Sequence, residues 1–120
     1  GFIIAASLGA LLRWGIYVLP HPWAAHTHPW GTFAVNFIGS LVMGFLFIYL
    51  GKSSPMLKTW LCVAFLGAFT TYSSFSLDIV RLVDEGSLKL VIIYFLGTNL
   101  LCISGCYMGW VFAKNLVTSH

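Results

Sequence analysis

The sequence has 120 residues, of which 59% are hydrophobic and only 8% are charged, with a formal net charge of +3. A water-soluble domain carries far more charge on its surface, and so small a basic excess argues against nucleic-acid binding. A helix needs about 20 residues to cross the hydrocarbon core of a membrane. We therefore predict one all-α transmembrane domain over residues 1–120, with four crossings joined by short connections.

The first predicted crossing covers residues 2–19, and Arg13 is its only charged residue. It has neither the basic start nor the cleavage site of a signal peptide, so we interpret it as a membrane helix. Because the sequence begins with glycine rather than methionine, we expect residues to precede it. The segment 20–29 has a composition typical of a loop, and we interpret its histidines as loop residues rather than as a zinc site. These histidines are His21, His26 and His28.

The other three crossings are predicted at residues 31–50, 60–83 and 88–112. In the third, residues 70–76 contain five Ser or Thr residues and one Tyr, about halfway across the membrane. Unpaired polar groups cost several kcal/mol each in lipid, so such a cluster is tolerated where it is buried in protein or lines a wet cavity. We predict that the third helix is broken here. The alternative is a Ser/Thr-rich helix whose hydroxyls bond to its own carbonyls.

The basic residues near the predicted helix ends are divided equally between the two sides of the membrane. The positive-inside rule therefore gives no preferred orientation. A small protein that inserts both ways can form an antiparallel homodimer, which creates inverted repeats from one chain. The two groups are Lys52, Lys58 and Lys114 on one side, and Arg13, Arg81 and Lys89 on the other.

Polar residues inside membrane helices are the first candidates for function. Tyr94, Thr98 and Cys102 are spaced four residues apart and form one stripe along the fourth helix. Each other candidate also has a simpler explanation. The side chains of Arg13 and Arg81 could reach the membrane surface, Asn36 could only bridge two helices, and Asp78 could only pair with Arg81.

Neither a catalytic Ser/His/Asp set nor a carboxylate pair is present at membrane depth, so we predict that the protein is not an enzyme. What remains is a polar path of hydroxyls, an amide and aromatic rings. Hydroxyl and amide protons, with the positive edges of aromatic rings, can replace the water around a small anion. The absence of Lys and Arg along the path would leave the ion free to depart.

Two segments, Gly31–Ser40 and Gly67–Ser76, resemble the Fluc (CrcB-type) fluoride channel family, and the similarity extends from Gly9 and Arg13 to the fourth helix. The resemblance implies passive export of cytoplasmic fluoride through two pores of a dual-topology antiparallel homodimer in the inner (plasma) membrane of a bacterium. It also implies a structural Na⁺ at the centre of the dimer.

The resemblance assigns roles to individual residues. Asn36 matches the pore-facing asparagine, Tyr72 and Phe75 match the two aromatic positions of the path, and Arg13 matches the vestibule arginine. The carbonyls of Gly67 and Thr70 match the Na⁺ ligands. The predicted fluoride path comprises Asn36, Thr71, Tyr72, Ser73, Phe75, Tyr94, Thr98 and Cys102.

Three positions depart from the family pattern. Tyr72 replaces the usual Phe, Cys102 replaces a Ser or Thr, and Asp78 replaces a Glu. The alternatives to a channel are a small multidrug transporter and an assembly subunit without transport. The first of these relies on a carboxylate in the first helix, and residues 2–19 contain none. The second has no need of a hydroxyl cluster within the membrane.

Overall fold

The computed structural model describes residues 1–18, 30–51 and 54–118, and within these ranges the regular structure is entirely helical. The predicted loop 20–29, with its three histidines, lies outside the described residues, as do Leu19 and Lys52. Helix α1 spans Phe2–Val18 and helix α2 spans Trp30–Leu50. Within these described ranges, three segments are long and apolar enough to cross a membrane, and α1 is a shorter apolar helix. The protein is a multi-pass membrane protein.

The third membrane segment consists of four consecutive pieces. They are α3 (Pro55–Lys58), a π-helix (Thr59–Leu66), α4 (Gly67–Phe69) and α5 (Tyr72–Asp84). The segment begins five residues before the predicted start at 60, because Ser54 Oγ accepts a hydrogen bond from Leu57 N and Pro55 fits the first turn of a helix.

Helix α5 ends in a tight turn at Gly86, where φ is +76°. The amide of Ser87 donates to Leu82 O over 3.0 Å and that of Gly86 to Val83 O over 3.0 Å. This pattern is a Schellman cap, which requires the left-handed conformation that glycine adopts without strain. The chain then enters α6, Leu88–Thr118. Helix α6 continues six residues beyond the predicted end at 112, because residues 113–118 contain neither Gly nor Pro.

Helices α2 and α6 form the most extensive packing in the described structure. Glycines allow this close approach: a Cβ at Gly44 would meet the carbonyl of Cys106, and one at Gly109 would meet that of Leu41. Small residues at such spacing are typical of membrane helix pairs. Helix α1 packs against the π-helix and α4, where Gly9 faces the carbonyl of Phe65. The packing of α2 on α6 places the polar residues of both helices beside the junction of α4 and α5.

Candidate functional site

Two residues with extended backbone separate α4 from α5. Thr70 has φ −87° and ψ 164°, and Thr71 has φ −153° and ψ 122°. Thr71 caps the new helix, because its Oγ1 accepts a hydrogen bond from Ser74 N over 3.2 Å. Thr70 remains tied to the preceding turn, with its Oγ1 donating to Leu66 O over 3.1 Å. The threonine side chains therefore satisfy part of the backbone that leaves the helical pattern.

Asn36 of α2 supplies the remaining partner for this junction. Its Nδ2 donates to Thr71 O over 2.9 Å, and its Oδ1 accepts from Thr71 N over 2.8 Å. The pair uses the amide oxygen and one of the two amide protons, so one N–H of Asn36 is not part of it. Asn36 therefore joins α2 to the third segment, which was the simpler of its two predicted roles. Its second amide N–H is not used in this pair, and Asn36 lines the groove described below.

The junction also redirects two backbone amides. In a continuous helix, Thr71 N would bond to the carbonyl of Gly67 and Ser74 N to that of Thr70. Here these amides donate to Asn36 Oδ1 and Thr71 Oγ1 instead. Unwound backbone carbonyls in membrane helices are suitable ligands for Na⁺. The carbonyls of Gly67 and Thr70, which the family resemblance assigned to Na⁺, are therefore among those that lose their helical donors at the junction.

An aromatic cluster lies directly after the junction. Phe75 is buried, with 4% of its surface exposed. Its ring centroid lies 5.6 Å from that of Tyr72, 5.1 Å from that of Tyr94 and 6.2 Å from that of Phe95. All three pairs are tilted, with interplanar angles of 51°, 49° and 30°. Tilted rings direct their positive edges at neighbouring rings. Phe75 therefore lies at the centre of the cluster and contacts all three other rings. Tyr72 lies at the surface of the cluster, with 75% of its area exposed.

A groove of about 320 Å³ runs between α2, the junction and α6. None of the described residues that line it carries a charged side chain. Six of the eight residues predicted for the path line this groove; Ser73 and Tyr94 do not. Its lining consists of Asn36, Gly39, Ser40, Met43, Thr70, Thr71, Tyr72, Phe75, Thr98, Asn99, Cys102, Ile103 and Cys106.

Thr98 lines this groove and also a second cavity of about 360 Å³, which is bordered by Tyr94 and mostly apolar residues. Thr98 is 7% exposed, and its Oγ1 has no hydrogen-bond partner within the described part of the chain. Burying an unpaired hydroxyl is costly. The Thr98 hydroxyl is therefore the clearest donor available to a ligand in the groove.

Other predicted residues lie outside the groove. The Ser73 hydroxyl lies 3.4 Å from Thr71 Oγ1. Tyr94 OH donates to Asp78 Oδ2 over 3.1 Å, so Asp78 has a hydrogen-bond partner on α6. Arg13 is half-buried on α1 and lines neither of the two cavities.

The predicted fluoride path left out two polar residues that line the groove, Ser40 and the intramembrane candidate Asn99. Ser40 lies one helical turn after Asn36 and lines the groove together with Cys102, and the four-residue spacing from Asn36 could have identified it. Asn99 also lines the groove, but its Nδ2 donates to Phe95 O of its own helix over 2.7 Å. That bond occupies one of its protons and was not predictable from the stripe of Tyr94, Thr98 and Cys102.

Residues 2–110 match the family described as CrcB-like protein, Camphor Resistance (CrcB). The chain belongs to the CrcB family. Relatives in this family include proteins named fluoride-specific ion channel FluC. The CrcB relative from Magnetococcus marinus is 37% identical over 115 residues, which cover 92% of this chain and 93% of the relative.

Two further relatives with the same name show similar coverage. The protein from Agrobacterium fabrum is 34% identical over 92% of this chain and 90% of its own length. The protein from Novosphingobium aromaticivorans is 38% identical over 88% of this chain and 87% of its own length. The similarity therefore covers all four helical segments of this CrcB protein, and the relatives are named as channels rather than enzymes.

Proposed function

We propose that this CrcB protein is a fluoride channel through which fluoride leaves the cytoplasm passively. One structural observation carries the proposal: a groove lined by hydroxyl, amide, thiol and aromatic groups, with no charged side chain among its described lining residues. The names of the relatives agree with this chemistry.

Fluoride is small and holds its water strongly, so a path for it must offer close-set hydrogen-bond donors. The Thr98 hydroxyl and the remaining N–H of Asn36 are such donors, and the ring edges of Tyr72 and Phe75 add weaker positive contacts. Without a fixed cation beside it, the ion would bind firmly enough to enter and weakly enough to leave.

We place the other path residues around this centre. Thr71 and Cys102 line the groove, and the hydroxyl of Ser73 lies 3.4 Å from that of Thr71. The ring of Tyr94 packs against that of Phe75, with the centroids 5.1 Å apart. Arg13, which lines neither cavity, would act in the vestibule by raising the local concentration of anions before they enter. Arg13→Gln should slow fluoride efflux relative to the unmodified protein at low ionic strength, where screening is weakest, and less so at high ionic strength. An Arg13→Gln protein with the same efflux rate as the unmodified protein at low ionic strength would contradict this role.

The groove is open on one side, so an enclosed path requires a second surface. We propose that a second copy in antiparallel orientation provides it and that the dimer contains two pores. The equal distribution of basic residues supports insertion in both orientations. Tyr72 lines the groove and is 75% exposed, so a second copy on the open side would cover it. Labelling of a terminal tag from both sides of the membrane tests this arrangement; accessibility from one side alone would contradict it.

The carbonyls of Gly67 and Thr70 fit a structural Na⁺ near the centre of this dimer, because their helical donors are redirected. An ion there would supply positive charge to backbone oxygens that lack helical partners. Exchanging Na⁺ for a larger monovalent cation should lower the thermal stability of the dimer. An unchanged melting temperature across cations would contradict the site.

The proposed location is the inner (plasma) membrane of a bacterium, where an export channel meets the cytoplasm. The direct test uses purified protein in liposomes loaded with fluoride, with efflux followed by a fluoride electrode. We expect efflux well above that of empty liposomes and proportional to the amount of protein. Rates equal to those of empty liposomes would reject the proposed function.

A further inference from the structure

Three sulfur-bearing side chains line the groove. Cys102 and Cys106 lie on α6, and Met43 lies on the facing helix α2. All three are half-buried, and both cysteines are free thiols. The two helices are in close contact at this level, because a Cβ at Gly44, next to Met43, would meet the backbone carbonyl of Cys106. The groove therefore brings two thiols and a thioether to one stretch of the path.

The spacing of the two thiols suits a bridging metal ion rather than a disulfide. Residues four apart on a helix have Cβ atoms about 5–6 Å apart, whereas a disulfide needs about 3.5–4.5 Å. Cys102 and Cys106 therefore cannot form a disulfide without distortion of α6. Two sulfurs on opposite sides of one metal ion, with bonds of about 2.3 Å each, lie about 4.6 Å apart, which the helical spacing allows.

The other groups of the groove determine which class of metal fits. The described lining contains no His, Asp or Glu side chain, so it lacks the ligands that would complete a tetrahedral Zn²⁺ site. Thiolate and thioether ligands favour soft ions such as Cu⁺. We propose that Cys102 and Cys106, with Met43 beside them, form a binding site for a soft monovalent metal ion, and that a metal ion bound there blocks the fluoride path.

The block follows from charge and from space, and this part of the proposal rests on the proposed function. Each thiol releases its proton to solvent when its sulfur binds the metal. Two thiolates with one monovalent ion then leave one negative charge, which repels fluoride in a groove whose described lining is otherwise uncharged. Cys102 is also a predicted path residue, so a metal ion on its sulfur occupies space that fluoride must cross.

The test is inhibition of fluoride efflux from liposomes by Ag⁺, a soft monovalent ion that does not change its oxidation state as Cu⁺ does. Chloride-free nitrate buffer keeps the silver in solution. We expect Ag⁺ at a concentration on the order of micromolar to lower the efflux rate about tenfold or more, and an excess of a small dithiol to restore it. Zn²⁺ at the same concentration should leave the rate unchanged. Undiminished efflux in Ag⁺, or equal block by Zn²⁺, would overturn the proposal.

Cysteine substitutions identify the ligands. Cys102→Ser and Cys106→Ser each remove one sulfur, and each should raise the half-inhibitory Ag⁺ concentration about tenfold or more, measured against the variant's own rate without metal. Cys62→Ser is the matched control, because Cys62 lies on the π-helix, is 5% exposed and lines neither cavity. The Cys62→Ser protein should be blocked at the same Ag⁺ concentration as the unmodified protein. Unchanged block in Cys102→Ser and Cys106→Ser, or loss of block in Cys62→Ser, would overturn the assignment.

Binding of Ag⁺ is also measured without transport, by elemental analysis of detergent-purified protein after desalting. The Cys62→Ser protein should retain about one Ag⁺ per chain, and the addition of Cys102→Ser and Cys106→Ser should reduce this to almost none. If the unmodified protein carries no fluoride, the proposed function fails while this measurement still decides whether the metal site exists. Equal amounts of silver on both proteins would overturn the site.

Discussion

The Asn36 side chain and the backbone of Thr71 form a two-point hydrogen-bonded pair, at 2.9 Å from Nδ2 to the carbonyl and 2.8 Å from the amide to Oδ1. The pair satisfies the residue at which the third membrane segment leaves the helical pattern. It also joins α2 to the start of α5, and both Asn36 and Thr71 line the groove.

Asn36→Asp should damage both folding and transport. A carboxylate can accept from Thr71 N but cannot donate to Thr71 O, so two acceptors would face each other, at a cost of about 1–3 kcal/mol in the free energy of unfolding. Thermal unfolding in detergent and fluoride efflux measure the two effects. Asn115→Asp, on an exposed residue of the last turns of α6, is the control. If the Asn36→Asp protein had the same stability and the same fluoride efflux as this control, the Asn36–Thr71 pair would contribute to neither.

Thr98→Val should separate stability from activity. The change keeps the side-chain shape but removes a buried hydroxyl that has no partner in the described structure. The free energy of unfolding should stay the same or rise by up to about 1 kcal/mol, because an unpaired polar group is removed. Fluoride efflux should nevertheless fall about tenfold, as expected when an ion loses one hydrogen bond of about 1.4 kcal/mol.

Thr98→Ser is the matched control, since it retains the donor and should retain most of the efflux. If the Thr98→Val protein transported fluoride at the rate of the unmodified protein, the Thr98 hydroxyl would not be a donor to the ion.

Phe75→Ile should block fluoride while the fold and the dimer remain. The substitution keeps an apolar side chain at a buried position but removes the ring that contacts Tyr72, Tyr94 and Phe95. Isoleucine offers no positive edge to an anion. Size-exclusion chromatography would check assembly, and liposome efflux would check transport. Undiminished flux would reject the assignment of Phe75.

Gly109→Ala should weaken the packing of α2 on α6. The new methyl group would meet the backbone carbonyl of Leu41, which cannot rotate away as a side chain can. The cost should be about 1–3 kcal/mol in the free energy of unfolding. Gly15→Ala provides the comparison, because a Cβ there meets nothing within 4 Å. That variant should be neutral or more stable, owing to the better helix propensity of alanine; a Gly109→Ala protein of equal stability would contradict the close approach.

Much of the fold follows from simple features of the sequence. Long apolar stretches with few charged residues predicted the helices, because lipid excludes unpaired backbone groups. The clustered hydroxyls at residues 70–76 indicated an interruption for the same reason, and the extended residues Thr70 and Thr71 lie at the start of that cluster. The four-residue spacing of Thr98 and Cys102 placed both on one face of α6, and both line the groove.

Partners across helices could not be predicted in this way. The bond between Asn36 and Thr71 joins residues 35 positions apart, and that between Tyr94 and Asp78 depends on how α5 meets α6 after the turn at Gly86. Such contacts depend on tertiary packing rather than on local pattern. The ends of the third and fourth segments also differed from prediction, because the cap at Ser54 extends the third segment and nothing between 113 and 118 ends α6.

The central claim is that a dehydrated anion passes along an uncharged, donor-lined groove. Comparing fluoride and chloride efflux from the same liposomes tests it most directly, because chloride is larger and accepts weaker hydrogen bonds. We expect rapid fluoride efflux with chloride release no faster than from protein-free liposomes. Chloride leaving as readily as fluoride, or neither ion leaving, would contradict the account.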